Sequence, residues 1–294
     1  MNLRLGTRGS KLALVQSELF ATRLRDAGHE VELVRIVTEG DVRPVDMSPG
    51  DGVFVAAIAR ALVEGEIDIA VHSAKDIPLE EPPELLIAAY PERADPRDAL
   101  VTRNGTSTLD SLPQGAVVGT DSPRRRGFLL AARADLHVVP LHGNVDTRLG
   151  RLDEDAVDAL VLAAAGIDRL GRGERIDQRL KPELIVPAPA QGALAVQARR
   201  QDIELLRVLA ALDQRSVRLA VEMEREVLKA TGGTCRAPVG ALASVNRDSF
   251  ILLVAGVNSD GTGKRVERIE GACSDALELA GDAGRRLVSE VALR

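Results

Sequence analysis

Short apolar runs alternate with stretches whose apolar positions recur every three or four residues, and this alternation begins near the N-terminus. Leu3 to Leu5, Val31 to Val37 and Ile67 to Val71 read as strands, with Lys11 to Arg25 and Phe54 to Glu64 as the helices between them. A second series follows the same grammar. Ala116 to Val118, His137 to Pro140 and Ala159 to Leu162 read as strands, and Arg124 to Arg133 and Val145 to Asp153 as helices. Strand–helix–strand repetition predicts two α/β lobes, each a largely parallel or mixed sheet covered by helices.

Two segments interrupt the pattern. Tyr90 to Arg97 is polar and contains two prolines, and Pro182 to Pro189 alternates proline with alanine near its end, so both discourage helix and read as hinges. Beyond them lie a strand-like run, Ala193 to Val196, and helices at Ile203 to Leu212 and Val217 to Ala230. The tail reads as a strand meander (Ala237 to Val245, Phe250 to Val257, Arg265 to Ile269) closed by a helix over Ser274 to Leu293, a separate α+β unit.

Composition narrows the function. The 294 residues are 45% hydrophobic and 28% charged, but tryptophan is absent and aromatics reach 2%, so the cores must be aliphatic and a bound ring finds few stacking partners. A formal charge of −6, with no basic and aromatic stripe, argues against nucleic acid as a partner. Two cysteines exclude a disulfide framework, and the four histidines lack metal-ligand spacing, so no metal is expected and a reducing cytoplasm fits. The longest apolar run, Ala159 to Ile167, falls well short of the roughly 18 residues of a membrane helix, and no apolar secretory core opens the chain.

Several motifs carry candidate chemistry. Thr231-Gly232-Gly233-Thr234-Cys235-Arg236-Ala237-Pro238 presents Cys235 on a segment that cannot be regular structure, beside an arginine that favours the thiolate. The alternative is a small buried apolar residue. Asp76, in the strand-end motif Val71-His72-Ser73-Ala74-Lys75-Asp76, is the carboxylate placed to transfer a proton or balance a developing cation. His72 reads as a packing residue.

Gly6-Thr7-Arg8-Gly9-Ser10 and Gly119-Thr120-Asp121-Ser122-Pro123 each stand where a strand gives way to a helix, and helix starts attract anions. They read equally as well-capped turns. Arg124, Arg125 and Arg126 cannot all face one way; one or two can enter a cleft while the third is solvated. With Arg148 and Arg169 also following strands, the arginines suggest a small polyanionic substrate gripped by forked guanidinium pairs.

Taken together and in order, these motifs resemble the hydroxymethylbilane synthase (porphobilinogen deaminase) family. The carriers are Gly6 to Ser10, Ala70 to Asp76, Asp95-Pro96-Arg97-Asp98-Ala99, Gly119-Thr120 with Ser122 and Arg124-Arg125, Gly143 to Arg148, Ala164-Ala165-Gly166 with Arg169, Gln191-Gly192, and Gly232 to Pro238. The resemblance spans essentially the whole chain. It implies two lobes like those of type II periplasmic binding proteins (1–92 with 193–211, and 95–190) and a C-terminal α+β domain, 214–294, that carries the cysteine.

It also implies a dipyrromethane cofactor held by a thioether to Cys235. Four porphobilinogen molecules would be joined head to tail with loss of ammonia, and hydrolysis would free the linear tetrapyrrole. Asp76 would be catalytic. Arg8, Ser10, Ser73, Lys75, Thr120, Ser122, Arg124, Arg125, His142, Asn144, Arg148, Arg169 and Gln191 would bind cofactor and substrate. A monomer is implied.

Three positions depart from the family pattern. Gly50-Asp51-Gly52 lacks the usual lysine between the glycines, Ala56 replaces a second lysine in the expected lid, Asp41 to Ala57, and His142 replaces an arginine. A divergent homologue, or a two-lobed small-anion binding protein that does not complete elongation, is the competing expectation. The second cysteine, Cys273, reads as an ordinary residue before the last helix.

Overall fold

A computed structural model describes residues 1–38, 55–103, 105, 107–233 and 237–291. Cys235 and Asp51 lie outside the described residues, as does nearly all of the segment expected to form a lid. The chain opens with β1 (Asn2–Thr7), α1 (Lys11–Asp26), β2 (Glu30–Arg35), α2 (Ala56–Val63), β3 (Ile69–Ser73) and β4 (Leu85–Ala89). Next come β5 (Asp98–Thr102), β6 (Val117–Gly119), α3 (Pro123–Ala132), β7 (His137–Val139), α4 (Val145–Asp153), β8 (Ala159–Ala163), α5 (Ala164–Arg169) and β9 (Gln178–Arg179). The chain closes with β10 (Leu194–Arg199), α6 (Ile203–Ala210), α7 (Arg215–Ala230), β11 (Val239–Asn246), β12 (Ser249–Gly256), β13 (Arg265–Ala272) and α8 (Ala276–Glu290).

Two five-stranded sheets share one topology. The first has the order β2-β1-β3-β10-β4 and the second β7-β6-β8-β5-β9. In each, three parallel strands adjoin one antiparallel strand, β10 or β5, that enters after the chain has left the other sheet. The two lobes are therefore mixed α/β folds, and the C-terminal segment adds a three-stranded antiparallel meander, β11-β12-β13, with helices.

Burial explains the strand sequences. Ile69-Ala70-Val71-His72 is buried at every position, since parallel strands covered by helices on both faces cannot alternate with polar residues. Ser249–Gly256 does alternate in its first half, turning Phe250, Leu252 and Val254 into the C-terminal core. With aromatics scarce, each of three cores contains one phenylalanine: Phe20 among Leu3, Leu5 and Leu24, Phe128 among Leu100, Val118 and Leu129, and Phe250 in the C-terminal domain.

The backbone divides into two compact units, Met1–Arg93 with Ala193–Arg218, and Ala94–Gly192 with Leu219–Arg294. The second unit joins the second lobe to the meander domain through a shared core. Ala255 and Val257 pack with Phe128, Leu129 and Val186. Gly127 lies so close to the chain at Asn258 that a Cβ would come within 2.5 Å of its carbonyl oxygen.

Several elements differ from expectation. The strands β4, β5 and β9 were not anticipated: Asp98 sits inside β5, where sequence preference argues against a strand, and its charge is accepted because two arginines meet it. The final helix starts at Ala276 rather than Ser274, because Cys273–Asp275 forms a single tight turn before it.

Candidate functional site

In the first unit, the candidate residues follow the ends of β1 and β3. Ser10 caps α1, its Oγ accepting from the Ala13 N–H at 3.3 Å, and half-buried Arg8 lies between this cap and the strand. The end of β3 turns through Ala74–Asp76, which leaves Asp76 exposed and Lys75 half-buried. Ser73 is tied down by Gln16, whose Nε2 donates to Ser73 Oγ at 3.1 Å. His72 is buried beneath. Burial, aided by the positive charge of Arg8 and opposed by a hydrogen bond with Gln197, pulls its pKa down to about 4, so the imidazole is neutral at pH 7.

In the second unit, the same device recurs. Ser122 caps α3 and accepts from the Arg125 N–H at 3.4 Å, with Pro123 in the first turn; buried Thr120 accepts from the Ser122 N–H at 3.3 Å. Asn144 stands exposed at the N-cap of α4 without a side-chain cap bond. His142, half-buried, places Nδ1 3.0 Å from the Asp121 carboxylate. Ala56 begins α2 in the first unit and is exposed.

The arginine triplet differs from expectation. Arg124 and Arg125 are both buried and both directed at Asp98: Arg124 Nη2 lies 2.8 Å from Oδ2, and Arg125 Nη2 lies 2.9 Å from Oδ1. Arg126 is the half-buried third, donating to the Val138 carbonyl. Starting the helix at Pro123 buries Arg124 and Arg125 in its first turn, and the Asp98 carboxylate from β5 offsets the cost of burying their charges. Gln191 completes the cluster. Its Nε2 donates to Asp98 Oδ1 at 3.0 Å and to the Pro96 carbonyl at 2.8 Å, and its Oε1 accepts from Arg125.

Burial by itself would raise the Asp98 pKa. The charges of Arg124 and Arg125 and the hydrogen bonds from Arg124 and Gln191 outweigh it and hold the carboxyl below its ordinary value. Two guanidiniums against one carboxylate leave a net positive charge inside this unit.

Arg148 and Arg169 are different. Arg148 Nε donates to the Gly143 carbonyl at 2.8 Å, and Arg169 Nη2 to the Gly192 carbonyl at 2.7 Å, but neither forms an ion pair among the described residues. Burial draws each guanidinium pKa down to about 10, for Arg148 with the repulsion of Arg125 added and the attraction of Asp121 opposing it. A withdrawn cation that meets no carboxylate directly is costly, and an anionic ligand offsets that cost. The donor set therefore fits a molecule rich in carboxylates. Asp98, which sequence reasoning left without a role, organises Arg124, Arg125 and Gln191; an aspartate inside an apolar run signals a buried charge in need of a partner without naming the partner.

Within the second unit, these buried and half-buried guanidiniums are groups able to hold an anion. Residues 3–207 match the family description "Porphobilinogen deaminase, dipyromethane cofactor binding domain", and residues 218–291 match "Porphobilinogen deaminase, C-terminal domain". The chain belongs to the porphobilinogen deaminase family. It is 48% identical to a porphobilinogen deaminase of Acidothermus cellulolyticus, covering 98% of this chain and 88% of that one. It is 45% identical to one of a Roseiflexus species, covering 98% of both. With that of Cutibacterium acnes it shares 50% identity over 83% of this chain and 77% of the relative. Among solved structures, a nutrient-binding protein from Burkholderia cenocepacia bound to methionine matches with a TM-score of 0.45 and 14% identity, over 73% of this chain and 93% of that one.

Proposed function

We propose that this chain is a hydroxymethylbilane synthase, a transferase that joins four porphobilinogen molecules head to tail with release of ammonia and frees the linear tetrapyrrole by hydrolysis. The observation that carries the reading is the pair of half-buried guanidiniums, Arg148 and Arg169, which donate to backbone carbonyls and lie within ion-pair distance of no described carboxylate, in a family whose substrate bears carboxylates.

The residues take distinct roles. Arg148 and Arg169 receive acetate and propionate groups of the growing chain, with Arg8, Lys75, Ser10, Ser73, Thr120, Ser122, His142 and Asn144 as further polar contacts. Arg124, Arg125 and Gln191 act with Asp98, supplying net positive charge and a fixed frame. When bound, a dipyrromethane held by a thioether to Cys235 supplies the carbon to which the first substrate unit is joined. Asp76, exposed where β3 ends, accepts pyrrole N–H bonds and balances the cation that develops as ammonia leaves. The neutral His72 behind it adds no competing charge.

The reading includes three domains, 1–92 with 193–211, 95–190 and 214–294, and a monomer acting in the cytoplasm, which suits a chain with two cysteines. No described helix is long and apolar enough to cross a membrane. Intact-mass measurement of protein produced with ample porphobilinogen tests the reading. A covalent dipyrrole that disappears in Cys235→Ser is the expected result, and an unmodified wild-type chain overturns it.

A further inference from the structure

Among the described residues, Asp98 and Glu224 are the two acidic side chains fully withdrawn from solvent, at 0% exposure each. Asp98 answers two arginines, whereas Glu224, on α7, grips backbone from two separate places. Its Oε2 accepts from the Ala190 N–H at 2.6 Å and its Oε1 from the Ala243 N–H of β11 at 2.8 Å. Ala190 has φ +64°, a left-handed conformation uncommon for a residue with a side chain, so this backbone is held where it would not rest by itself.

The held segment, 186–192, touches three arginines of the second unit, Arg124, Arg125 and Arg169. Val186 O accepts from Arg124 Nη1 at 2.6 Å, Gln191 Oε1 from Arg125 at 3.4 Å, and Gly192 O from Arg169 Nη2 at 2.7 Å. The segment also meets the C-terminal domain at two places besides Glu224. Ala241 N–H donates to the Pro187 carbonyl at 2.9 Å, and Gly240 lies where a Cβ would stand 2.6 Å from Val186 O.

We propose that Glu224 is a positioning residue: from the C-terminal domain it fixes the 186–192 segment, and through it the placement of Arg124, Arg125 and Arg169. The inference rests on the proposed reading of these arginines as part of the apparatus that binds substrate carboxylates. Its physical basis is the acceptor-only chemistry of a carboxylate, which satisfies two N–H donors at once. A glutamine there turns an NH2 group toward one of them and leaves buried donors unpaired. Displacements on the order of 1 Å then suffice to degrade binding geometry.

The test compares Glu224→Gln and Gly240→Ala with Phe250→Leu, a control in the core of the same domain away from the segment. Gly240→Ala keeps Glu224 and pushes the segment from another side; if Glu224→Gln does not accumulate as folded protein, it still tests whether displacement of 186–192 reaches the arginines, and unchanged KM there overturns that link. Measured are KM and kcat for porphobilinogen, melting temperature, and amide hydrogen exchange in peptides covering 186–192. We expect both test variants to raise KM about fivefold or more while kcat stays within about twofold, with faster exchange in 186–192. Phe250→Leu lowers the melting temperature but moves neither KM nor that exchange. Unchanged KM and exchange in the test variants, or an equal KM rise in Phe250→Leu, overturns the inference. If wild-type protein fails to consume porphobilinogen, the functional reading falls, and the exchange result still decides whether Glu224 holds the segment.

Discussion

Asp98 and Arg124 form an ion pair withdrawn from solvent, Oδ2 lying 2.8 Å from Nη2 with the side chains 0% and 3% exposed. Arg125 shares the same carboxylate at 2.9 Å, so the aspartate compensates two cations. Asp98→Asn keeps the shape and removes the charge. It is expected to destabilise the protein by roughly 3–5 kcal/mol, the cost of leaving buried charge uncompensated. Urea unfolding measures this, and a loss below about 1 kcal/mol, the size of a surface pair, means the cluster is not electrostatically coupled.

Asp76 stands at the opposite extreme, exposed and outside every core cluster. Asp76→Asn is expected to change stability by no more than about 0.5 kcal/mol, as surface substitutions do. Turnover of porphobilinogen is expected to fall nearly to zero. Near-normal rates of ammonia release refute the assigned role.

Arg148 tests the anion receptors. A hydrogen bond between charged partners contributes about 1.5–3 kcal/mol, so Arg148→Ala is expected to lower kcat/KM roughly 10- to 150-fold. Because its side-chain Nε also holds the Gly143 carbonyl, Arg148→Lys separates the two effects: a lysine keeps the charge and loses the fork. Wild-type kcat/KM in Arg148→Ala removes this residue from the binding set.

His72 and Asp98 make the protein acid-sensitive in two different windows. His72 has a folded pKa near 4 against 6.5 for an exposed imidazole. The unfolded chain therefore takes up a proton that the folded chain refuses, and stability falls as pH drops from about 6.5 toward 4, by up to roughly 3 kcal/mol. Asp98, held below the ordinary carboxylate value, contributes stability that is full above pH 3.8 and is lost only as pH falls further through its folded pKa. His72→Asn is expected to flatten the stability profile between pH 6.5 and 4.5. A variant profile as steep as that of the wild type assigns the slope to other groups.

Much of this arrangement was legible along the chain because it is written in local rules. The helix starts at Ser10 and at Ser122-Pro123 follow from capping chemistry confined to a few residues, and α4 occupies the predicted Val145–Asp153. The alternation of Phe250, Leu252 and Val254 marks a strand with one buried face. Asp98 was not legible in this sense. Nothing in a run of apolar residues with one aspartate says that two arginines from another segment will close on it. Nor does an ordinary helical glutamate such as Glu224 announce that it will accept N–H groups from residues 190 and 243.

What the amino-acid order determined by itself was the series of strands and helices, the family, and the residue types of the chemistry, since periodicity, capping and motif spacing act over a few residues at a time. Only the tertiary structure decided which arginines meet a carboxylate directly and which do not. Arg124 and Arg125 were read as anion receptors on the same footing as Arg148 and Arg169, yet β5 delivers Asp98 to the first pair and no described carboxylate pairs with the second. Pairing of buried charge depends on separation in space, and that separation is fixed only when the strand order of the sheet is complete.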